Sequence, residues 1–501
     1  MSTTNSSQSP SRVVLGVDSS TQSTKVEARD LATGEVIGSG SAKHPPTTPP
    51  VSEQDPAAWW SALVDAISQL SDDVRERVAA ISVAGQQHGL VLLDADGNAV
   101  RPAKLWNDTT SATQADELVE AFGRDEIASM TGSVPGASFT ITKLAWTLAN
   151  EPDALRRTER VMLPHDYLTW RLSGAHVTDR GDASGTGWFD PAGGTYSTLM
   201  LERCALDGID WSERLPKVLD PGEPAGQIDA DIARDLGLPE SALVGPGTGD
   251  NMAGSLGLGL QPGDAVMSLG TSGVAYAVSP TPTVDSSGEV AGFADATGVF
   301  LPLVCTLNAT RVTDTIAGWL GTDAAGLSEL AEAADYRSTS AVLVPYFSGE
   351  RTPNLPNATG SIYGLRTDTT REELALAAHD GVLCSQFQGL ESLRKAGVEV
   401  DGTLYLIGGG ARSATYRQRC ADLWGRPIVV PDADETVATG AAVQAAVIAS
   451  DDSFSEVQKR WVLGQGVTVE PRDDADGAAT LERYRTHATR VADFEQTNSE
   501  G

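Results

Sequence analysis

Residues 13–30 read VVLGVDSSTQSTKVEARD: an apolar run that ends at Asp18, a turn of hydroxyl and amide side chains, and a second run that alternates. This pattern predicts a hairpin of two strands joined by a polar turn, with Lys25 on the returning strand. Residues 265–279, AVMSLGTSGVAYAVS, follow the same plan. Two copies of one unusual hairpin, each opening half of the chain, predict a duplicated α/β fold. Two unrelated hairpins could also share so simple a pattern.

Aligning the two hairpins identifies equivalent positions in their turns. Backbone N–H groups and hydroxyls in such turns are suited to holding a polyphosphate, with one hairpin on each side of it. The alignment pairs Asp18 with Ser268, Ser20 with Gly270, and Thr21 with Thr271.

Composition limits the classes of partner. The chain has 501 residues, 40% of them hydrophobic, so it can bury a large core. Its formal net charge of -32 argues against a nucleic acid or an anionic membrane as a partner. An acidic surface repels anions in general. Any phosphate ligand must therefore be held by local donors or by a metal ion.

The ends of the chain and its cysteines bear on location. Residues 1–11 are polar and lack the apolar core of a secretory signal, and we expect them to be a disordered leader. No apolar run is long enough to span a bilayer. We expect a cytoplasmic protein with reduced thiols, because the four cysteines are far apart and form no CxxC pair: Cys204, Cys305, Cys384 and Cys420.

The stretch GPGTGDNMAGSLGLG, residues 245–259, displays a single acid where two similar halves of the chain meet. Glycines before Asp250 allow the backbone to approach a ligand closely, and small residues after it suit a tightly packed helix start. A carboxylate in this place, with Asn251 beside it, is suited to act as a general base. The alternative is that Asp250 only caps the helix.

Three further polar sets are candidates for ligand contacts. VAGQQHG, residues 83–89, breaks a strand with Gln87 and His88, although His88 taken alone is more simply interpreted as a structural histidine. RPAKLWND, residues 101–108, supplies an aromatic and polar set of the kind that binds sugars: Trp106, Asn107 and Asp108. The triple glycine at 408–410 puts backbone amides at a predicted helix N-terminus, which suits a nucleotide.

Taken together, these motifs resemble the FGGY carbohydrate kinases, and most closely those members that phosphorylate D-xylulose. The segments run in family order from about residue 13 to about residue 449. They are SEQDPAAWW, VAGQQHG, RPAKLWND, LPHDYL, DASGTGWFD, GDNMAGSLGLG, SLGTSG, PYFSGERTP and LIGGGARS. The resemblance implies two ribonuclease H-like (actin-like ATPase) domains, with the active site in the cleft between them.

The resemblance also assigns roles to residues of this chain. It implies ATP and Mg²⁺ as cofactors, with Asp250 as the general base and Asp18 near the metal, which it would hold through water. Sugar contacts fall to Gln87, His88, Trp106, Asn107, Asp108 and Asn251. ATP contacts fall to Ser20, Thr21, Lys25, Gly270, Thr271, Gly409, Gly410 and Ser413.

The sequence departs from the family pattern at three of these places. Ser20 and Ser23 stand where glycine is frequent in the first hairpin, and Gln87 stands where methionine is frequent. Serine keeps the backbone N–H, so this change need not harm phosphate binding. Gln87 is on the sugar side, and its identity therefore affects which sugar is preferred.

The implied organisation has a leader (1–11), an N-terminal kinase domain (12–262), a C-terminal kinase domain (263–450) and an acidic tail with a terminal helix (451–501). The implied reaction is ATP-dependent conversion of D-xylulose to D-xylulose 5-phosphate in xylose catabolism, by a monomer or homodimer. Ribulose, gluconate or glycerol could replace xylulose. An actin- or chaperone-like ATPase would share the fold but would have no use for the QQHG, LWND and GDN sets, and the Asp18 and Asp250 pair disfavours an inactive sugar sensor.

Overall fold

The computed structural model describes residues 11–204, 209–337, 339–432 and 435–499. The predicted leader lies outside these ranges except for Ser11. The strands are β1 (Val13–Ser19), β2 (Ser23–Asp30), β3 (Val36–Lys43), β4 (Glu53–Gln54), β5 (Val78–Gly85), β6 (Val91–Leu93), β7 (Ala103–Lys104), β8 (Arg160–Met162), β9 (Val177–Thr178), β10 (Phe189–Asp190), β11 (Thr195–Tyr196), β12 (Lys217–Val218), β13 (Gly226–Gln227), β14 (Leu243–Val244), β15 (Thr248–Gly249), β16 (Ala265–Leu269), β17 (Gly273–Ala277), β18 (Leu303–Thr306), β19 (Val342–Val344), β20 (Ser361–Tyr363), β21 (Leu404–Ile407), β22 (Ile428–Pro431) and β23 (Gly466–Val469).

The helices alternate with these strands, as expected for an α/β chain. They are α1 (Pro56–Ser68), α2 (Asp72–Arg75), α3 (Ala112–Phe122), α4 (Arg124–Thr131), α5 (Thr140–Asn150), α6 (Pro152–Arg157), α7 (Pro164–Ser173), α8 (Arg180–Ala183), α9 (Thr198–Cys204), α10 (Ala230–Leu236), α11 (Asp250–Leu258), α12 (Thr310–Trp319), α13 (Ala324–Ala333), α14 (Arg371–Lys395), α15 (Ala414–Trp424), α16 (Thr436–Ala449), α17 (Phe454–Arg460) and α18 (Gly477–Ser499).

The described residues separate into two compact units. Unit 1 comprises those within Met1–Leu260, Gly292–Phe300 and Glu435–Gly464; unit 2 comprises those within Gln261–Ala291, Leu301–Asp434 and Gln465–Gly501. This division differs from the predicted linear one. Helix α16 packs its small residues on α11 and β1 of unit 1, and α17 after it packs on α16 and α11. In contrast, β23 joins the sheet of unit 2. The chain after residue 450 is therefore shared between the units rather than forming a separate tail.

The sheet of unit 1 begins with the first predicted hairpin, in which β1 and β2 pair antiparallel. Its strand order is β13-β14-β5-β1-β2-β3, with β15 paired to β5. Strand β1 pairs in parallel with β5 and is buried along its whole length, as its apolar sequence requires. Helix α1 packs on this sheet through Trp59, Leu63 and Ile67.

The sheet of unit 2 repeats this plan. Its order is β18-β17-β16-β21-β22-β23, with β16 and β17 forming the second predicted hairpin. In each sheet, three antiparallel strands lead to two parallel ones and end on an antiparallel edge strand. The core of unit 2 is organised around α14, which is buried along most of its length. The shared strand order confirms the predicted duplication.

Candidate active site

Asp250 is the first residue of α11 in unit 1. Strand β15 delivers it there by pairing with the end of β5, at Ala84 and Gly85. The residue in the helix-capping position is Gly249, and no side chain caps this end. Instead, Asp250 Oδ1 accepts hydrogen bonds from the Asn251 backbone N–H at 2.8 Å and from Asn251 Nδ2 at 3.0 Å. The interpretation of Asp250 as the helix cap is therefore wrong.

Asp18 lies near the end of β1, where its register partners are Lys25 on β2 and Ala84 on β5. The residue is 8% exposed, and within the described ranges its Oδ1 atom has no hydrogen-bond partner. Burial, and next the charge of Asp250, raise the pKa of Asp18 to about 7, while Lys25 opposes the rise. Burial, and next Asp182, raise the pKa of Asp250 to about 7. The charge of Asp250 therefore favours the protonated form of Asp18.

The turn between β1 and β2 is tied to a second loop of unit 1. The Ser20 backbone N–H and hydroxyl both donate to the carbonyl of Ser23 at 3.0 Å. The Thr21 hydroxyl donates to Gln86 Oε1 at 2.9 Å and accepts from Trp106 Nε1 at 3.0 Å. The structure thus brings together Thr21, predicted to contact ATP, and Trp106, predicted to contact sugar. Gln86, which links them, was not among the predicted site residues.

Gln87 and His88 follow the end of β5. Gln87 accepts a short hydrogen bond from Asn251 Nδ2 and donates to Met252 Sδ at 3.1 Å. His88 has a φ of 63°, in the left-handed region that non-glycine residues rarely adopt. Its ring lies between Phe139 and Phe293, with centroids 5.5 and 5.1 Å away. Gln87, Asn251 and Asp250 are therefore one connected group.

The predicted sugar set at 106–108 divides into accessible and inaccessible members. Trp106 is 41% exposed, and Asn107 Oδ1 is a buried atom without a hydrogen-bond partner among the described residues. Asp108 is fully buried and differs from its prediction as a sugar contact. It accepts from the Ser52 N–H at 2.8 Å and pairs with Lys104 at 3.2 Å. Although burial opposes ionisation, hydrogen bonds led by that of Thr110 lower the pKa of Asp108.

Sequence reasoning missed a buried polar cluster in the same unit. His165 Nε2 lies 3.3 Å from Asp166, 3.5 Å from Asp179 and 3.5 Å from Asp182. Asp182 in turn contacts His88. The only signal in the sequence was two polar segments, LPHDYL and TDRGDASG, whose spatial proximity depends on the fold.

The predicted nucleotide residues of unit 2 lie on two adjoining loops. A Cβ added at Gly410 would lie 2.7 Å from the Leu269 side chain, and one at Gly408 would lie 2.7 Å from the Leu269 carbonyl. The triple-glycine loop therefore packs directly on the end of β16. Gly270 beyond it accepts from the Thr310 N–H at 3.0 Å and hydroxyl at 2.9 Å, and Thr271 is exposed.

The start of the helix after the triple glycine also differs from its prediction. Gly409–Arg412 form a short 3-10 turn, and α15 begins afterwards at Ala414. Its cap is Ser413, whose side chain accepts from the Tyr416 N–H and contacts Ser328 Oγ at 2.9 Å. The glycine amides therefore open the 3-10 turn, and the helix N-terminus belongs to Ser413.

Two units with one repeated strand order define a duplicated α/β protein of the actin-like ATPase fold, as predicted. Residues 13–257 match the N-terminal domain of the FGGY family of carbohydrate kinases, and residues 265–449 match its C-terminal domain. The chain belongs to this family.

Individual relatives are similar over nearly the whole chain. A xylulose kinase of Streptomyces coelicolor is 48% identical over 94% of this chain and 98% of its own. One of Streptomyces rubiginosus is 45% identical, again over 94% and 98%. The crystal structure of a xylulose kinase from Bifidobacterium adolescentis has a TM-score of 0.85 and 40% identity, covering 96% of this chain and 100% of that one.

Among the described residues, no helix is both long and apolar enough to cross a membrane.

Proposed function

We propose that this chain transfers the γ-phosphoryl group of ATP to D-xylulose and forms D-xylulose 5-phosphate. The relatives named xylulose kinase support the substrate. The observation that carries the chemistry is Asp250: a carboxylate at the start of α11, with a pKa near 7, joined to Asn251 and Gln87. A base with that pKa is half ionised near neutral pH, where general base catalysis is efficient.

In the proposed reaction, Asp250 accepts the proton of the terminal sugar hydroxyl. The hydroxyl oxygen then forms a bond to the γ-phosphorus as the bond to the β,γ-bridging oxygen breaks, and ADP leaves with that electron pair. Lys25, which carries a positive charge beside Asp18, stabilises negative charge on the transferred group. Phosphoryl transfer needs alignment of the two oxygens more than covalent help, so positioning is the main task of the remaining residues.

The sugar would be held by the polar groups that surround Asp250 in unit 1. His88, Gln87 and Asn251 form hydrogen bonds with its hydroxyls, and Trp106 offers a half-exposed ring for its apolar face. Asn107 adds a buried oxygen without a partner among the described residues. Asp108 does not bind the sugar in this proposal. It stabilises the loop that carries Trp106 and Asn107 through its ion pair with Lys104.

ATP would be held by the hairpin turns and the glycine loop. On unit 1 these are Ser20, Thr21 and Lys25. The Ser20 N–H, the Ser20 hydroxyl and the Thr21 hydroxyl already donate within the protein. Their contribution to ATP binding therefore requires an exchange of partners, or comes from the Thr21 backbone N–H. On unit 2 they are Gly270, Thr271, Gly409, Gly410 and Ser413. Glycine permits close approach of a phosphate to the backbone.

Mg²⁺ is implied by the family and fits the residues present. Asp18 offers a buried oxygen that has no hydrogen-bond partner in the described part of the chain. Across the described part of the chain, no three or more His, Cys, Asp or Glu side chains are grouped so that they could hold a metal ion. Mg²⁺ commonly binds through one or two carboxylates, water and substrate phosphates, so a single acid is sufficient. When bound, the ion neutralises charge on the β- and γ-phosphates, with Asp18 holding it through water.

A coupled assay of ADP release with Mg-ATP tests this proposal across pentuloses, hexuloses and polyols. We expect D-xylulose to give the highest kcat/KM. A clearly better rate with L-ribulose, gluconate or glycerol would assign a different substrate within the family, and Gln87 would be the first residue to examine. ADP release that no sugar stimulates would contradict the kinase reaction itself.

A cytoplasmic location and a monomer or homodimer complete the proposal, and light scattering after size-exclusion chromatography tests the oligomeric state.

A further inference from the structure

Asp182, on the short helix α8, contacts His88 twice with one oxygen atom. Its Oδ1 accepts from the His88 backbone N–H at 3.3 Å and lies 3.1 Å from His88 Nδ1. Both residues are buried, and Asp182 is fully so. A single side chain thus contacts both the backbone and the ring of the residue with the left-handed φ of 63°.

These contacts determine which ring nitrogen of His88 carries the proton. Oδ1 already acts as an acceptor toward the His88 backbone N–H, so it can also accept from Nδ1–H. The neutral imidazole then has its proton on Nδ1, and Nε2 is its acceptor atom. A sugar hydroxyl meeting Nε2 would donate its proton to it.

The other oxygen of Asp182 faces the buried cluster. Oδ2 lies 3.5 Å from His165 Nε2, and Asp166 and Asp179 approach the same nitrogen. Burial raises the pKa of Asp166 and Asp182 well above the usual range and that of Asp179 to about 7, while burial lowers the pKa of His165. Three carboxyl groups around one imidazole cannot all be charged in this setting, so the cluster retains protons at neutral pH. A proton on the Oδ2 side leaves Oδ1 as the acceptor for His88.

Packing holds the ring of His88 from its other sides. A Cβ added at Gly185, three residues after Asp182, would lie 1.7 Å from His88 Cε1 and 1.9 Å from Nδ1. Phe139 and Phe293 flank the ring, and the Thr140 hydroxyl donates to the His88 carbonyl at 3.2 Å. With the ring confined in this way, the contact of His88 Nδ1 with Asp182 Oδ1 favours the Nδ1–H tautomer.

We propose that Asp182 is a positioning residue that holds His88 in the Nδ1–H tautomer, with Nε2 presented to a hydroxyl of the sugar. Asp179, a carboxyl neighbour of His165, keeps Asp182 in place by accepting from the Asp182 backbone N–H at 3.0 Å. This inference rests on the proposed function through the role of His88 as a sugar contact. The inference gives a role to the buried cluster of His165, Asp166, Asp179 and Asp182, which takes no direct part in the proposed reaction. Asp182 acts through His88 and does not touch the substrate.

Two substitutions at Asp182 separate acceptor geometry from charge. Asp182→Asn keeps an acceptor oxygen and places an N–H₂ group where the protonated oxygen stood, so we expect kcat/KM for D-xylulose within about twofold of the parent. Asp182→Ala removes the acceptor, and we expect a fall of about two- to tenfold, the effect of one hydrogen bond. A matched control is Asp422→Ala, which truncates a buried acid outside the cluster, in unit 2, that pairs with Arg419 at 3.1 Å. It should lower Tm without changing the KM for sugar.

A double-mutant cycle with His88→Ala tests whether Asp182 acts through His88. We expect the Asp182→Ala/His88→Ala pair to be no worse than His88→Ala alone, because the positioned ring is then absent. Multiplicative effects in the pair would overturn the proposal, as would equal damage from Asp182→Asn and Asp182→Ala. If His88→Ala leaves the use of sugar unchanged, the sugar contact assigned to His88 fails instead.

Two further measurements do not depend on Asp182→Ala folding. Gly185→Ala would force the His88 ring aside without removing a polar group, and we expect it to reduce kcat/KM for sugar at least as much as His88→Ala. In ¹⁵N-histidine-labelled protein, His88 is identified among the six histidines by its loss in His88→Ala. Its nitrogen shifts should show the Nδ1–H tautomer in the parent and in Asp182→Asn. An Nε2–H tautomer in the parent would overturn the proposal without reference to activity.

Discussion

Lys25 on β2 and Glu435 just before α16 form a two-point ion pair across 410 positions of the chain: Lys25 Nζ lies 2.7 Å from Oε1 and 2.8 Å from Oε2 of Glu435. Both residues belong to unit 1. Their side chains are 40% and 34% exposed, so the pair adds less than about 1 kcal/mol to stability. Its consequence is functional, because Glu435 occupies the ammonium group that we assign to the transferred phosphoryl group.

Removing each partner of this pair should have opposite effects on the use of ATP. Lys25→Met deletes a charge-assisted donor, and we expect kcat to fall about tenfold or more. Glu435→Gln removes the competitor for Lys25, and we expect the KM for Mg-ATP to stay level or fall. Steady-state kinetics with thermal melts of both variants measure this. A raised KM in Glu435→Gln with an unchanged melt would show that the pair itself binds ATP.

The close approach of α11 and α16 gives a prediction for stability. A Cβ on Gly440 would lie 1.8 Å from the Ala253 carbonyl, and one on Gly257 would lie 1.9 Å from the Thr436 carbonyl. Both obstacles are backbone atoms, which cannot rotate away. We expect Gly440→Ala to cost about 1–3 kcal/mol in overpacking, more than the roughly 1 kcal/mol gained from helix propensity.

The control for this substitution is Gly318→Ala in α12, where an added Cβ meets nothing within 4 Å. Denaturant unfolding should show Gly318→Ala to be neutral or stabilising. If both variants change stability alike, the helices do not make the backbone contact described. Since α11 starts at Asp250, Gly440→Ala should also lower kcat.

Much of the fold follows from local sequence. Both hairpins could be predicted because their apolar runs and polar turns are encoded within 20 residues, as in residues 13–30. The placement of α16 could not, because its Ala-rich surface would pack on either sheet. The Lys25–Glu435 pair and the His165 cluster could not be predicted either, because the segments that supply them meet only in the folded chain.

The candidate site shows the same division. The position of Asp250 at the start of a helix could be predicted from the residues around it, and the hydrogen bond from Asn251 to Gln87 places these two predicted residues in one group. From the sequence, Asp108 and Trp106 were equal candidates for a sugar contact. In the structure, Asp108 is instead buried and paired with Lys104. Sequence pattern therefore locates a loop of interest but does not separate its exposed members from its structural ones.

The raised pKa of Asp250 predicts the pH dependence of the reaction. A base works only when ionised, so kcat/KM should rise with pH and level off above about 7, the pKa of Asp250. An ordinary aspartate near 3.8 would give a flat profile across this range. Rates from pH 5.5 to 8.5 at saturating Mg-ATP distinguish the two cases. A flat profile would remove Asp250 as the titrating base.

Asp179 gives a separate prediction for folding stability against pH. Its pKa is 3.8 as a reference value and about 7 in the folded chain, so the folded state favours the protonated form. The stabilisation from that proton is complete below about pH 4 and is lost as pH rises to about 7. Asp179→Asn cannot titrate, so its free energy of unfolding should improve relative to the parent between pH 5 and 7. Unfolding curves whose difference stays constant with pH would contradict the assigned protonation.

Asp250→Asn is the sharpest test of Asp250 as the general base. Asparagine keeps the shape of the side chain but cannot take the hydroxyl proton, and general base catalysis contributes about 10²–10⁴-fold. We expect kcat to fall at least about a hundredfold, while calorimetry shows that D-xylulose and ATP still bind and the thermal melt is preserved. A variant that binds both ligands and turns over within a few-fold of the parent would remove Asp250 from the mechanism.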